Sequence, residues 1–295
     1  MNKFIVSVDS LSVLSEEKIK KYGIISTPLY YTLNGETKID EFISEEEQNE
    51  FYNILRNGGR AKSSMIPPFD FIKNWTPALA QGHDILHLSI SKKVSGCFDS
   101  AMNAKKELAT QYPDRIIEVW DTTIAFYNVS KMAIQAAKMQ TQGFRIEDVI
   151  KKLDAEKLNH NIIFTVDDIR HLHRGGRIGH VKAILGSALR LKPILYVTKK
   201  GIISHLSSVR GRKKSFDFIV NIIEKCKTEK TTWAAISHGG DEPTALRLKK
   251  ALLEKYDFLK EIEIGVLNPV LGLHAGPGSF TISFYGKNRE FALRH

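Results

Sequence analysis

The chain has 295 residues, of which 42% are hydrophobic and 26% charged, and its formal net charge is +10. Its two cysteines, Cys97 and Cys226, are too few for a disulfide framework or a cysteine zinc site. No run reaches the roughly 20 apolar residues that span a bilayer, and the first residues lack a signal-peptide pattern, so we expect a soluble cytoplasmic protein.

The positive charge is concentrated in the second half of the chain. Residues 1–158 carry 20 lysines and arginines against 21 acidic residues, whereas residues 159–295 carry 23 against 12. A basic face can bind nucleic acid, an anionic membrane surface or an acidic partner protein, and it can also be plain solvated surface.

The first half alternates strand and helix patterns. The hairpin at 24–40 turns at Asn34-Gly35, and a capping box at Ser44 starts the next helix. We predict strands at 4–8, 84–90 and 115–120, and helices at 15–22, from 44 to about 57, after Pro67-Pro68, from 95 to about 111, and at 123–141. Strands separated by helices favour parallel pairing with right-handed crossovers.

The second half predicts a mixed sheet. We expect strands at 162–166, 193–197, 202–209, 233–237, 262–267 and 280–284, and helices at 167–174, 212–227 and 243–256. The predicted fold class is therefore α/β with two domains. The N-terminal domain (1–158) has a mostly parallel sheet with flanking helices, and the C-terminal domain (159–287) has a mixed sheet with helices.

Common catalytic and cofactor patterns are missing from the sequence. It contains neither a G-x-x-x-x-G-K-[ST] phosphate loop nor a G-x-S-x-G nucleophile elbow. The glycines at 175–179 follow a predicted helix, whereas a dinucleotide fingerprint follows a strand. His171 and His173 are two residues apart and lie on different helix faces, so we expect no metal site. Because the phosphate-loop and dinucleotide patterns are missing, we also expect no cofactor.

Three segments, 62–67, 95–101 and 272–278, combine small hydroxyls, bare backbone N–H groups and an imidazole. They contain Ser63 and Ser64, then Ser95 and Gly96, and finally His274. We predict that the last segment, 272–278, is a glycine-rich turn before the final strand. Such groups suit an anion, because helix N-termini expose unpaired N–H groups and glycine permits close approach. Each serine could instead be a helix N-cap, and His274 a core or turn histidine.

In this order and spacing, the segments resemble the DegV family, bacterial fatty-acid-binding proteins of which some are the lipid-binding subunit of a two-component fatty-acid kinase. The stretches at 171–178, 191–195 and 210–214 also match, and the resemblance covers about residues 3–286. It implies that an acyl chain such as palmitate or oleate lies in a slot between the two domains.

The resemblance also implies which residues hold the carboxylate. The two hydroxyls fall on Ser63 and Ser95 and the imidazole on His274, with Ser64 and Gly96 beside them. The chain departs from the family pattern at several places. Ser63 stands where the family more often has Thr, and Asp121-Thr122 stands for a common Asp-Ser. Met65 stands for a common Gln, and Cys97 and Leu273 each stand for a Thr, which bears on the hydrogen bonding around the head group.

We therefore expect a non-enzymatic carrier that serves lipid metabolism or presents the carboxylate to a separate kinase. The basic second half could dock that kinase or touch anionic lipid, through Arg170, Arg174, Arg177, Arg210 and Arg212. The alternative is a serine acyl hydrolase with Ser95 as nucleophile and His274 as base. A nucleic-acid-binding protein is a third hypothesis, but no aromatic platform or recognition motif supports it.

Overall fold

The computed structural model describes residues 3–179, 181 and 191–290. The chain divides into two compact units. The first contains the described parts of Met1–Thr32, Thr37–Phe42 and Ser63–Lys157, and the second those of Leu33–Glu36, Ile43–Lys62 and Leu158–His295. The domain limits 1–158 and 159–287 stay a prediction.

The elements alternate along the chain as an α/β protein requires. The strands are β1 (Phe4–Asp9), β2 (Ile25–Thr27), β3 (Leu29–Leu33), β4 (Glu36–Asp40), β5 (Ala61–Ser64), β6 (Asp84–Ser89), β7 (Ile117–Asp121), β8 (His160–Thr165), β9 (Leu191–Val197), β10 (Ile203–Arg210), β11 (Trp233–His238), β12 (Glu261–Val266) and β13 (Phe280–Tyr285). The α-helices are α1 (Glu16–Tyr22), α2 (Glu45–Arg56), α3 (Pro68–Ala80), α4 (Cys97–Gln111), α5 (Tyr127–Thr141), α6 (Ile146–Glu156), α7 (Arg170–Arg174), α8 (Arg212–Cys226), α9 (Glu242–Lys255) and α10 (Pro269–Ala275).

A parallel sheet of order β2-β1-β6-β7 forms the centre of the first unit. Helix α3 packs on one face, where Trp75 donates a hydrogen bond to Ser7 Oγ (2.9 Å) and Asn74 to Thr27 Oγ1 (3.1 Å). On β7, Trp120 donates to Asp154 of α6 (3.2 Å). A further three-stranded sheet has the order β4-β3-β5.

The strand predicted from residue 24 to 33 is interrupted in the structure. Pro28 lies between β2, which joins the parallel sheet, and β3, which belongs to the hairpin. Proline has no N–H to donate to a sheet ladder, so one continuous strand cannot serve both sheets. Helices α6 and α10 are absent from the prediction.

The second unit contains a six-stranded mixed sheet of order β10-β9-β8-β13-β11-β12. Only β11 and β12 pair in parallel among its described strands, and the other pairs are antiparallel. Helices α8 and α9 bury apolar side chains against one face, where Phe216 stacks on Phe280 with ring centroids 4.5 Å apart. The predicted α/β class, with one parallel and one mixed sheet, is confirmed. Within the described ranges, every helix is too short or too polar to cross a lipid bilayer.

Candidate functional site

The first unit brings two of the predicted anion-binding segments into contact. A Cβ added to Gly96 would lie 2.5 Å from Met65 Sδ, so Met65 occupies the space that a side chain at this position would need. The hydroxyl of Ser100 also donates to the carbonyl of Ile66. The segment that carries Ser63 and Ser64 therefore lies against the start of α4.

Ser95 precedes α4 and its side chain is half-buried. Its Oγ accepts the backbone N–H of Cys97 (3.3 Å), and its hydroxyl lies 3.1 Å from Cys97 Sγ. The N-cap of α4 is Gly96, and Ser95 stands one residue before it, where its Oγ binds the first N–H of the helix. A thiol is a poor acceptor, so the same hydroxyl can turn toward an anion placed before the 15-residue helix.

Asp9 is the last residue of β1 and was not found from the sequence. Its carboxyl group is fully buried and accepts the N–H of Leu11 (3.1 Å) and of Ile90 (3.3 Å). Burial raises the pKa of Asp9 to about 7, although both backbone hydrogen bonds act in the opposite direction. The Ile90 contact fixes the beginning of the loop that leads to Ser95. An aspartate that ends a predicted parallel strand is the signal that could have revealed it.

In the second unit, His274 lies in the last turn of α10. The sequence interpretation of 272–278 as a turn is therefore wrong for 272–275, where Pro269 at the first position starts a helix instead. A Cβ on Gly175 would lie 2.0 Å from His274 Nδ1, so the imidazole packs against bare backbone.

The environment of His274 keeps its ring neutral. Burial, and to a smaller extent the positive charge of Arg177, lowers the pKa of His274 to about 3. A neutral imidazole has one donor and one acceptor nitrogen, so it can donate to a carboxylate without carrying a charge of its own.

Helix α10 is held by side chains that are distant in sequence. Tyr52 of α2 donates to the carbonyl of Leu267 (2.6 Å), and a Cβ on Gly272 would lie 2.3 Å from its hydroxyl oxygen. On the other side, a Cβ on Gly276 would lie 2.6 Å from the ring of His171. Glycine is therefore needed at both positions, and the matching stretches 171–178 and 272–278 meet in space.

The five arginines proposed for partner docking have different surroundings. Arg174 and Arg210 are exposed, Arg170 is exposed and pairs with Asp168 (2.9 Å), and Arg177 donates to the carbonyl of Gly175 (2.6 Å). Arg212 bridges Asp167 (2.8 Å) and Asp241 (2.5 Å) inside the second unit. Its guanidinium is thus part of an internal network.

Across the described part of the chain, we found no group of three or more His, Cys, Asp and Glu side chains arranged to hold a metal ion. The chemistry available at the sites above is hydrogen bonding by hydroxyls, backbone N–H groups and a neutral imidazole.

The fold and these segments define a class of two-unit α/β proteins with one parallel and one mixed sheet. The family model described as "Uncharacterised protein, DegV family" matches residues 3–287. A DegV domain-containing protein of Clostridium perfringens is 32% identical over 98% of this chain and 100% of its own length. The chain belongs to the DegV family.

Solved structures support the same assignment. A DegV family protein from Thermus thermophilus, described for its fatty acid binding, has a TM-score of 0.85 at 30% identity and covers 96% of this chain and 99% of its own. A DegV lipid binding protein from Thermotoga maritima has a TM-score of 0.84 at 28% identity, with 97% and 99% covered. DegV of Bacillus subtilis, described as a fatty acid binding protein, has a TM-score of 0.82 at 26% identity, with 97% and 100% covered.

Proposed function

We propose that this protein binds a long-chain fatty acid such as palmitate or oleate in a buried slot. The observation that carries the proposal is its similarity, over nearly the whole chain, to solved structures described as fatty acid binding. In this proposal Ser63, Ser95 and His274 hold the carboxylate, and Ser64 and Gly96 lie beside it.

The local geometry supports this assignment. Ser95 stands at the N-terminal end of a long helix, next to the segment of Ser63, where the helix dipole favours an anion. His274 is held as a neutral donor by burial. These groups could bind a carboxylate without a buried countercharge, because hydrogen bonds to a charged group contribute about 1.5–3 kcal/mol each.

The acyl chain would supply most of the affinity. A 16-carbon acid buries about 14 methylenes, worth on the order of 11 kcal/mol at about 0.8 kcal/mol each. Lost ligand freedom and side-chain ordering offset much of this gain. The head group then fixes the orientation of the ligand, which is what a carrier needs to present a carboxylate.

The physiological role that we propose is cytoplasmic transport of the fatty acid or its presentation to a partner kinase. Three arginines of the second unit are exposed and are suited to dock that partner or to touch anionic lipid briefly: Arg170, Arg174 and Arg210. Arg177 and the exposed part of Arg212 would add to the same positive surface.

The first test is mass spectrometry of lipid extracted from the purified protein, followed by palmitate binding to delipidated protein. We expect a long-chain fatty acid in the extract and saturable palmitate binding. The proposal is wrong if the protein is purified without lipid and also fails to bind added palmitate and oleate.

The head-group assignment is tested by the double variant Ser63→Ala with Ser95→Ala. We expect palmitate affinity to fall by at least tenfold, since two hydrogen bonds to the carboxylate are lost. Thr141→Ala, which removes an exposed hydroxyl from α5, is the matched control and should bind like the wild type. Wild-type affinity in the double variant would mean that the carboxylate lies elsewhere.

A further inference from the structure

The mixed sheet of the second unit has a second buried face that is separate from its core. The core cluster with α8 and α9 uses Phe280, Ile282 and Phe284 of β13. Side chains alternate between faces along a strand, so Thr281 and Ser283 point to the opposite face. That face is nevertheless buried. Its buried members include the following residues, none of which belongs to the core cluster: Ile162, Phe164, Leu195, Ala235, Ser237, Thr281 and Ser283.

Three hydroxyls lie together at the centre of this face. Ser237 of β11 is directly opposite Thr281 of β13 in the antiparallel ladder, and Ser283 is the next residue of β13 on the same face. Directly opposite side chains in such a ladder have Cβ atoms about 4.5–5.5 Å apart. We refer to Ser237, Thr281 and Ser283 as the hydroxyl patch.

The hydroxyl patch is fully enclosed but unsatisfied. The three side chains are 1%, 1% and 0% exposed, and their oxygens have no hydrogen-bond partner within residues 3–179, 181 and 191–290, not even each other. A buried hydroxyl without a partner destabilises a fold, whereas an apolar group of the same shape would not. The described side chains therefore do not explain why three hydroxyls are buried at this position.

The direct neighbours of the patch on β8, β11 and β12 are apolar or small, and two polar side chains, His160 and Glu263, lie further along the same face. Phe164 and Ile162 of β8 lie directly opposite Thr281 and Ser283, whereas Ala235 and Gly265 flank the patch on β11 and β12. Small residues on one side and apolar side chains on the other suit an alkyl chain. A polar atom on that alkyl chain would supply the hydrogen-bond partner that the three hydroxyls lack.

We propose that this face lines the acyl chain and that the hydroxyl patch binds a second oxygen of the ligand, a hydroxyl or keto group within the chain. The inference rests on the proposed fatty-acid binding and narrows the ligand class to acyl chains oxygenated away from the carboxylate. Serine and threonine hydroxyls both donate and accept, so either oxygen type can be bound.

The test compares palmitate with a series of palmitic acids that carry one hydroxyl or keto group at successive internal positions. We expect at least one positional isomer to bind the wild type about tenfold more tightly than palmitate, the gain from about one satisfied hydrogen bond. In the triple variant Ser237→Ala, Thr281→Val and Ser283→Ala, that isomer should lose its advantage while palmitate binds as well or better.

Thr165→Val is the matched control. Thr165 is also buried, and its hydroxyl has no partner among the residues that the structure describes. It lies opposite Phe280 and so faces the core side of the same sheet. We expect this variant to keep the isomer preference. Thr281→Val alone, which conserves shape, replaces the triple variant if that variant does not fold.

The outcomes separate the two proposals. If palmitate binds and every oxygenated isomer binds more weakly, the hydroxyl patch holds water only and the inference is wrong, while fatty-acid binding stands. If neither palmitate nor any isomer binds, both proposals are overturned.

Discussion

Asp9 shows how one buried carboxyl group can organise a neighbouring loop. It accepts N–H groups from Leu11 and from Ile90, which is 81 residues away in sequence. His87, on the adjacent strand, is fully buried as well, and burial lowers its pKa to about 3. The hydroxyl oxygen of Ser7 lies 3.1 Å from His87 Nδ1. Burial therefore favours the uncharged form of both the Asp9 carboxyl group and the His87 imidazole inside the first unit.

Asp9 predicts a specific pH dependence of stability. Because burial raises its pKa from about 4 to about 7, the folded state retains a proton that the unfolded state releases in that window. The contribution of Asp9 to the free energy of unfolding should therefore fall as pH rises from about 4 to about 7, by up to about 4 kcal/mol at 1.36 kcal/mol per pH unit.

The measurement is urea unfolding of the wild type and of Asp9→Asn between pH 4 and 8. Asparagine does not titrate, so the wild-type stability relative to the variant should decline across the window and level off above it. A constant difference between the two proteins at all pH values would show that Asp9 titrates as it does in the unfolded chain.

At the scale of elements, Arg212 connects three parts of the second unit. It is the first residue of α8, and it pairs with Asp167 after β8 and with Asp241 before α9. Its guanidinium also lies 6.0 Å from the ring centroids of Phe216 and Phe280. A Cβ on Gly278 would lie 2.3 Å from Asp167, so this network also borders the glycine-rich turn after α10.

We expect Arg212→Met to destabilise the protein by about 1–2 kcal/mol, because two partly exposed ion pairs are lost while the apolar stem is kept. The measurement is the free energy of unfolding in urea. Arg210→Met, which removes an exposed arginine at the end of β10, should stay within about 0.5 kcal/mol of the wild type. Equal effects of the two substitutions would contradict a structural role for Arg212.

At the scale of the whole molecule, the proposed ligand should stabilise the folded protein. A ligand that binds only the folded state at 100 times its Kd adds about 2.7 kcal/mol to the free energy of unfolding. We therefore expect palmitate at this excess to shift the unfolding midpoint of delipidated protein to higher urea. Methyl palmitate, which lacks the carboxylate, should have a smaller effect. Identical midpoints with and without palmitate would argue against binding to the folded state.

The sequence by itself determined the α/β class, most strands of the parallel and the mixed sheet, the helix start at Ser44 and the family to which the chain belongs. These features depend on neighbouring residues: the capping box joins Ser44 to Glu47, three positions away. The candidate segments were also found this way, because hydroxyls and glycines at helix starts are local patterns.

Only the tertiary structure decided the environments of the side chains. The break at Pro28 depends on which sheet each strand joins, and the position of α10 depends on Tyr52, which bonds Leu267 across 215 residues. The burial of Asp9 and His274, and the enclosed hydroxyls of Ser237, Thr281 and Ser283, likewise arise from distant neighbours. Desolvation and long-range packing set these properties, and neither can be read from residues adjacent in the chain.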